Sequence, residues 1–427
     1  MCLLYVNKDG KCLPLAINLE VGGPVWTPRD RAIEWKVAKM WLRSADVQVH
    51  QVVSRHLHTQ LINEAVAIAM FRNLATSHPV YKLLYPHLKY TLAVNVLGRQ
   101  LLYPAEDGLF ERFLAVGGQH ERLVRDAYGR FHVDELNLPR NVRRRGVDDW
   151  RMLPCYWYRD DGLAIWGAIE KYVGTVLQLC YRNDDNVKAD EELQAWIADL
   201  GENGLATLTK DAADPSGQTD GISEDSTGLS EQRSRLSEQI DNLSGQTNGL
   251  TEDDISLLSE DRDLREEITS LSGQTPSLSG RDSTLSDHTG NKSEETISLS
   301  GPPLDPSGQT SDQYPNHGIP SELTSLDDVI RFVTTFVFTA SAQHAALSSG
   351  MMDYYAFVPN APSVMLMPPP SCKNETAPIY LKKALPSRGK TAEIIAACYT
   401  LSRSGKYEVN TCLFILYTKN SHPLSRA

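Results

Sequence analysis

One periodic run constrains the fold of this 427-residue chain more than any other feature. From Thr27 to Ala75, apolar residues return every three or four positions, which is the period of an amphipathic α-helix. Thr27-Pro28 predicts the helix start, because proline is well tolerated in a first helical turn. Ser77-His78-Pro79 predicts a break, after which the apolar period resumes through Val96. The sequence therefore predicts a mainly α-helical protein with one long buried helix near its amino terminus.

Three further segments carry local signals. DGLAIWGAIEKYVGTVLQLCYR predicts a helix opened by an Asp160-Asp161 cap. SLDDVIRFVTTFVFTASAQHAAL predicts a strongly apolar helix that ends at Gly350. KCLPLAINLE alternates in hydropathy and predicts a short strand, closed by the turn VGGP.

Residues 201–320 differ from the rest of the chain in composition. They contain 23 acidic and 7 basic residues, a net charge of −16, against −12 for the whole chain. A branched aliphatic residue stands at every seventh position from Ile222 to Leu285, and SGQT recurs four times. One apolar residue per heptad among serines and glycines does not offset the entropy of ordering a helix, so we predict a disordered insert. A transient, weakly associating helix and an ordered solenoid are the alternatives. The predicted organisation is a globular domain in two segments, 1–200 and 321–409, with a divergent tail at 410–427.

Composition excludes several classes of protein. The start of the chain lacks the pattern of a signal peptide, and no segment reaches ~18 uninterrupted apolar residues. We therefore expect a cytoplasmic protein without a transmembrane segment. The seven cysteines form no CxxC pair and predict reduced, buried thiols. The basic run Arg143–Arg145 has no aromatic platform beside it, so we expect no nucleic-acid partner.

Five long blocks resemble the catalytic domain of animal lipoxygenases and occur in that family's order. They are WLRSADVQVHQ, IAMFRNLATSHPVYKLLYPHLKYTLAVNV, CYWYRDDGLAIWGAIEKYV, FTASAQHAAL and VPNAPSVMLMPPP. The resemblance implies a helical catalytic domain around a non-haem iron. It also implies a polyunsaturated fatty acid as substrate, which the family converts to a hydroperoxide with dioxygen.

The resemblance assigns the iron-ligand positions, and this sequence departs from most of them. The family's first two ligands are histidines, at the positions of Arg55 and Gln60. The third, His344, is retained, and the fourth, which is histidine or asparagine in the family, is Ser348. The fifth ligand is a carboxyl-terminal carboxylate in the family, and the similarity ends after Val409. Arginine offers no lone pair to a metal and glutamine only a weak carbonyl. We therefore expect iron binding, and turnover by this chain, to be weak or absent.

The geometry of a helix adds a requirement to this ligand assignment. Residues five apart on a regular α-helix point about 140° apart, so a local bulge must bring positions 55 and 60 onto one face. His56 lies four residues before Gln60 and could substitute as a ligand, against the simpler interpretation of a hydrogen-bonded histidine. For Glu64 we predict a hydrogen bond between packed helices. For His78 we predict a structural cap or a surface position rather than a metal ligand.

Gly98 falls where the family carries alanine or glycine facing the substrate's pentadiene. Glycine-bearing members tend to give R hydroperoxides, so the resemblance implies an R-type ancestor. The alternative is a glycine needed only for close helix packing. Three functional classes stay open: a fatty-acid dioxygenase, a catalytically inactive relative that binds lipid or a partner, and a truncated gene product.

Overall fold

The computed structural model describes residues 1–104, 108–206, 315–374, 376 and 378–402. All of these residues belong to one compact unit. The chain begins with a three-stranded antiparallel sheet in the order β1 (Cys2–Val6), β2 (Cys12–Asn18) and β3 (Val25–Trp26). β2 lies inside the predicted strand KCLPLAINLE, and Ile17 in β2 pairs with Trp26 in β3. Both of these side chains are fully buried, together with Ala38, so the sheet packs on the first helix.

The rest of the described chain is mainly helical, as predicted. The helices before the insert are α1 (Ala32–Gln48), α2 (Ile62–Asn73), α3 (Pro79–Leu88), α4 (Thr91–Leu102), α5 (Leu109–Phe113), α6 (His120–Tyr128), α7 (Leu138–Arg144), α8 (Trp157–Cys180), α9 (Asp184–Lys188) and α10 (Glu191–Asp199). Those after it are α11 (Leu326–Phe338), α12 (His344–Ser348), α13 (Met351–Tyr355), α14 (Ile379–Ala384) and α15 (Arg388–Ser402). Within the described ranges, three segments are π-helical, Val49–Leu61, Leu200–Gly204 and Thr339–Gln343. The short 3₁₀ turns there are Gly117–Gln119, Val133–Glu135 and Pro315–Gly318.

The long amino-terminal helix is confirmed, but its predicted start is wrong. Helical structure runs without a break from Ala32 through the first π-helical segment to Asn73. It does not begin at Thr27-Pro28, because the Asp30 carboxylate accepts hydrogen bonds from the Thr27 amide at 2.6 Å and from the Thr27 hydroxyl at 3.0 Å. These two bonds close a separate turn ahead of the helix.

The predicted break at Ser77-His78-Pro79 is present, and of the two roles predicted for His78 the structure shows the cap, since this residue is buried. Its Nδ1 accepts the Val80 amide at 3.2 Å at the start of α3, and Pro79 occupies the first turn. Its Nε2 donates to Asp190 Oδ2 at 3.1 Å, and Tyr181 donates to the same oxygen at 2.6 Å. His78 thus joins the start of α3 to the start of α10.

The predicted Asp160-Asp161 cap is wrong. α8 begins at Trp157, and Asp160 Oδ1 instead accepts from Arg159 Nε at 2.8 Å. The Arg159 side chain is 1% exposed and also donates to the carbonyls of Val147, Asp149 and Leu153 at 2.9–3.2 Å. The buried guanidinium therefore fixes the loop before α8, a role that cap rules do not anticipate.

The largest part of the core lies where α8 and α11 cross and pack on α2, α3 and α10. Fully buried members include Val66, Leu84, Leu177, Trp196 and Phe336. The α11 segment is as apolar as predicted and continues through α12, after which Gly350 separates it from α13. Residues 201–206 and 315–320 pack on this core, with Leu205 and Ile319 buried, so the described fold extends past the predicted boundaries of the insert. The predictions of disorder at 207–314 and of a divergent tail at 410–427 lie outside the described residues.

The prediction of buried thiols is wrong for most of the cysteines. Among the described residues, Cys398 is buried and Cys2 half-buried, whereas Cys12, Cys155, Cys180 and Cys372 are exposed. These six thiols are all free. Apolar neighbours in sequence misled the prediction, because a short apolar run can place one residue on the solvent face of a helix or strand.

Candidate metal centre

The expected bulge is present as the first π-helical segment, Val49–Leu61. A π turn bonds residue i to i+5, so positions 55 and 60 lie closer to one face than α-helical geometry allows. Side chains help to satisfy the backbone here: the Thr59 hydroxyl donates to the Arg55 carbonyl, and Asn63 Nδ2 donates to the Thr59 carbonyl at 2.7 Å.

A second π-helical segment, Thr339–Gln343, directly precedes His344. The Thr339 hydroxyl donates to the Thr335 carbonyl at 2.7 Å, and the Ser341 hydroxyl donates to the Val337 carbonyl. Both widened helices therefore carry hydroxyl residues that bond one turn back, which eases the departure from the α-helical ladder.

Two residues at positions that the resemblance assigns to iron ligands contact each other. Arg55 Nε donates to Ser348 Oγ at 3.2 Å, and Arg55 Nη2 donates to the Leu401 carbonyl at 3.4 Å. Arg55 is 4% exposed and Ser348 2% exposed. A permanent cation therefore lies buried at position 55, which the resemblance assigns to the first ligand, and it is bonded to α12 and α15.

His344, the retained ligand position, is buried beside this charge. Burial, with a smaller contribution from the Arg55 cation, lowers the pKa of His344 from 6.5 to about 3. A neutral imidazole is the form that binds metals. The Arg55 guanidinium, which contributes to the lowered pKa of His344, would however repel a divalent cation placed next to it.

His56 and Gln60 meet, as their spacing predicts. His56 Nδ1 donates to Gln60 Oε1 at 3.0 Å, and His56 Nε2 accepts from the Tyr103 hydroxyl. Burial is the main cause that lowers the pKa of His56 to about 4. Both ring nitrogens are engaged, so the geometry matches the hydrogen-bonded histidine and gives no support to His56 as a substitute ligand.

A polar network continues from Gln60 into α4. Asn95 Nδ2 donates to the Gln60 carbonyl at 3.0 Å and to Glu64 Oε2 at 2.9 Å. Arg99 binds both oxygens of Glu64, at 2.7 and 2.8 Å, which is the bidentate geometry of a strong ion pair. The helix-packing role predicted for Glu64 is confirmed. Its partners Asn95 and Arg99 were missed, although they lie on one helical face four residues apart.

His50 is another residue that the sequence analysis missed. Its Nε2 donates to the Leu347 carbonyl at 3.0 Å and its Nδ1 accepts from the Tyr355 hydroxyl. Burial lowers its pKa to about 4. The apolar period around His50 gave no signal for these bonds, because its partners come from the far end of the chain.

Gly98 lies half-buried in α4, within the turn between Asn95 and Arg99. A Cβ built at Gly98 would meet nothing within 4 Å. Close helix packing therefore does not explain the glycine among the described residues.

A cavity of about 430 Å³ opens beside the first π-helical segment. Its lining is largely apolar, with Tyr103, His120, Glu121 and Arg125 as polar members. The remaining lining residues are Leu57, Leu61, Ile62, Val124, Tyr128, Gly204 and Leu205. Its volume lies in the range of small-molecule sites.

The residues present do not fit a non-haem iron. Such a centre needs several imidazole and carboxylate ligands around an open position. In the part of the chain that is described, no three His, Cys, Asp or Glu side chains come together in a group that could hold a metal ion. At the family's positions the structure brings together a guanidinium, a hydroxyl and one imidazole.

No described helix is long and apolar enough to cross a bilayer.

Comparison with known proteins supplies the family. The lipoxygenase family model matches residues 1–220 and 311–410. The allene oxide synthase-lipoxygenase protein of Plexaura homomalla is 30% identical over 414 residues, 96% of this chain and 29% of the relative. The human polyunsaturated fatty acid lipoxygenase ALOX15B is 28% identical, with 94% of this chain and 44% of the relative covered.

Solved structures agree with this assignment. The crystal structure of coral 8R-lipoxygenase gives a TM-score of 0.67 at 28% identity, over 98% of this chain and 50% of that chain. A LOX variant solved anaerobically in complex with arachidonate gives the same TM-score at 27% identity, over 98% of this chain and 49% of that chain. The chain spans less than half the length of the curated relatives named above. Because the family model covers most of the sequence and the helical fold agrees, this chain belongs to the lipoxygenase family.

Proposed function

We propose that this chain is a lipoxygenase-family protein of lipid oxidation that binds a polyunsaturated fatty acid, and that its described residues do not complete the iron centre. The hydrogen bond between Arg55 and Ser348 carries the second part, since it joins two ligand positions through groups that do not ligate iron. Dioxygenase turnover by this polypeptide alone is then weak or absent. The cytoplasmic location predicted from the sequence belongs to the same proposal.

The substrate class is supported by the relatives and by the cavity. ALOX15B is named as a polyunsaturated fatty acid lipoxygenase, and one structural relative holds arachidonate. The cavity beside the first π-helical segment offers Leu57, Leu61 and Val124 to an alkyl chain, with Arg125 among its polar lining residues. An apolar site with few polar groups is the usual design for such a ligand.

The stereochemistry implied by the resemblance is a finer part of the proposal. We propose that Gly98 reflects descent from an enzyme that forms R hydroperoxides. The open space around a Cβ at this position supports the idea, because it removes the packing explanation for glycine. One similar structure is described as an 8R-lipoxygenase.

The test uses the purified full chain and three measurements. Iron content is measured by metal analysis, arachidonate binding by calorimetric titration, and product formation by conjugated-diene absorbance. We expect saturable arachidonate binding, substoichiometric iron and no diene. Stoichiometric iron with diene formation would overturn the second part of the proposal, and absence of binding would overturn the first.

A matched pair of variants connects binding to the cavity. Val124→Trp places a large ring in the lining and is expected to weaken arachidonate binding at least tenfold. Ile165→Trp makes the same kind of change on the exposed face of α8, where Ile165 is 45% exposed, and is expected to leave binding unchanged. Equal effects of the two substitutions would show that the fatty acid binds elsewhere.

A further inference from the structure

Arg55 lies at a junction of three elements that are distant in sequence. It belongs to the first π-helical segment, Ser348 ends α12, and Leu401 lies in the last turn of α15. The Arg55 side chain bonds to both of these partners, at 3.2 and 3.4 Å. We call this set the Arg55 junction. The resemblance to lipoxygenases assigns the positions of Arg55 and Ser348 to the metal site, as its first and fourth ligands.

We propose that the Arg55 guanidinium is a built-in cation that takes over the structural role of the metal and makes this fold independent of iron. A metal ion would join these helices through ligands that donate lone pairs to it. The guanidinium joins them in the opposite sense, by donating N–H groups to a hydroxyl oxygen and a carbonyl oxygen. Its planar, multidentate head suits this exchange better than the single ammonium of lysine.

The contacts of the junction lie in the interior of the fold. Arg55 is 4% exposed and Ser348 2% exposed. The Ser348 hydroxyl and the Leu401 carbonyl accept from N–H groups of Arg55, at 3.2 and 3.4 Å. Hydrogen bonds from a charged donor are stronger than neutral ones, and a low local dielectric strengthens them further. These contacts therefore link the first π-helical segment to α12 and α15.

Ser348 is the acceptor that completes the Arg55 junction. A serine hydroxyl offers lone pairs to the Arg55 Nε–H across 3.2 Å and is 2% exposed. The longer imidazole or amide of the family's fourth ligand would compete with the arginine head for this space. Arginine at position 55 and serine at position 348 are therefore complementary departures from the family's ligand set, because the small hydroxyl both accepts from the guanidinium and leaves room for it.

The experiment compares thermal unfolding of the full chain with three variants. Arg55→Met keeps the length of the side chain and removes its charge and donors. Arg55→Lys keeps the charge and loses the planar head, and Ser348→Ala removes one acceptor. Loss of buried charge-assisted hydrogen bonds predicts that Arg55→Met lowers Tm by about 5 °C, with smaller losses for the other two.

Metal dependence separates this role from ordinary packing. Neither ferrous iron nor a chelator is expected to shift Tm of the wild-type chain. The triple variant Arg55→His, Gln60→His and Ser348→Asn restores four imidazole or amide positions together with His344. We expect this variant to be less stable than wild type in chelator and to regain several degrees of Tm with ferrous iron or Co²⁺.

Several outcomes would overturn the inference. They are a wild-type Tm that rises with ferrous iron, an Arg55→Met chain as stable as wild type, and a triple variant whose Tm ignores metal. If Arg55→Met fails to fold, Arg55→Lys and Ser348→Ala still rank the contributions. The inference rests on the proposed function only in assuming an iron-free site. If arachidonate does not bind, the proposed ligand class is wrong, and the Tm measurements still test the role of Arg55.

Discussion

Replacing Gly98 with alanine tests the description of α4 and its surroundings. The residue is inside the helix Thr91–Leu102, and an added Cβ meets nothing within 4 Å. Alanine in a helix interior is more favourable than glycine by about 0.8–1 kcal/mol, because the unfolded chain loses less backbone entropy on folding. With no steric cost to offset this gain, Gly98→Ala should stabilise the protein by about 1 kcal/mol.

The assay is urea unfolding followed by circular dichroism, with Gly162→Ala as a matched control. Gly162 is also inside a helix, α8, but its added Cβ would lie 2.7 Å from Leu138 Cδ2. Leu138 is buried against Phe338 and Trp166, so it has little room to move. Overpacking of this kind costs about 1–3 kcal/mol and should outweigh the helix gain.

The two results together decide the question. A stabilised Gly98→Ala with a destabilised Gly162→Ala supports the described packing. A Gly98→Ala chain that is less stable than wild type would refute the reasoning, because it would reveal a neighbour that contacts position 98. A second measurement uses the triple variant Arg55→His, Gln60→His and Ser348→Asn, provided that it oxidises fatty acid. Adding Gly98→Ala to this variant should increase the proportion of S hydroperoxide among its products, measured by chiral chromatography.

The remaining predictions concern buried polar groups. Arg159→Met removes three hydrogen bonds to backbone carbonyls and leaves those carbonyls without their donor. It should lower the free energy of unfolding in urea by about 3–5 kcal/mol, and a decrease below about 1 kcal/mol would contradict the described geometry. His78→Ala removes the cap of α3 and one partner of Asp190, with an expected loss of about 1–2 kcal/mol in the same assay, whereas the exposed Lys188→Ala should change little. His50, His56 and His344 are neutral in the folded state, with pKa values of about 4, 4 and 3, so the unfolded chain binds more protons below pH 6.5. Stability should therefore fall as pH drops from 6.5 towards 4, and replacing His344 with Gln should flatten that slope in pH-dependent melts.

Periodicity predicted the helices well and their ends poorly. The apolar period from Thr27 to Ala75 reflects burial along one face, which is a property of the whole helix and survives small local changes. A helix end depends on single side chains, and these can bond elsewhere. Asp30 closes a turn with Thr27, and Asp160 pairs with Arg159, so neither residue plays the part that local rules assigned to it.

The candidate site divides in the same way. The ligand pair that the resemblance assigns to positions 55 and 60, combined with helix geometry, predicted the widened turn around position 55. The four-residue spacing predicted that His56 meets Gln60. It could not predict the bond from Arg55 to Ser348 or to Leu401, because these residues are hundreds of positions apart and meet only after the domain folds. The resemblance placed Ser348 at a ligand position, but its role as an acceptor for Arg55 is visible only in the folded structure.

The widened turns at Val49–Leu61 and Thr339–Gln343 are present although arginine, glutamine and serine stand at three of the positions that the resemblance assigns to metal ligands. Their geometry is maintained by hydroxyl and amide groups such as those of Thr59, Asn63 and Thr339, none of which is a ligand. Backbone shape and coordinating chemistry are thus specified by separate sets of residues. Each set can change without the other, so metal-binding side chains could be introduced at these positions on an unchanged main chain.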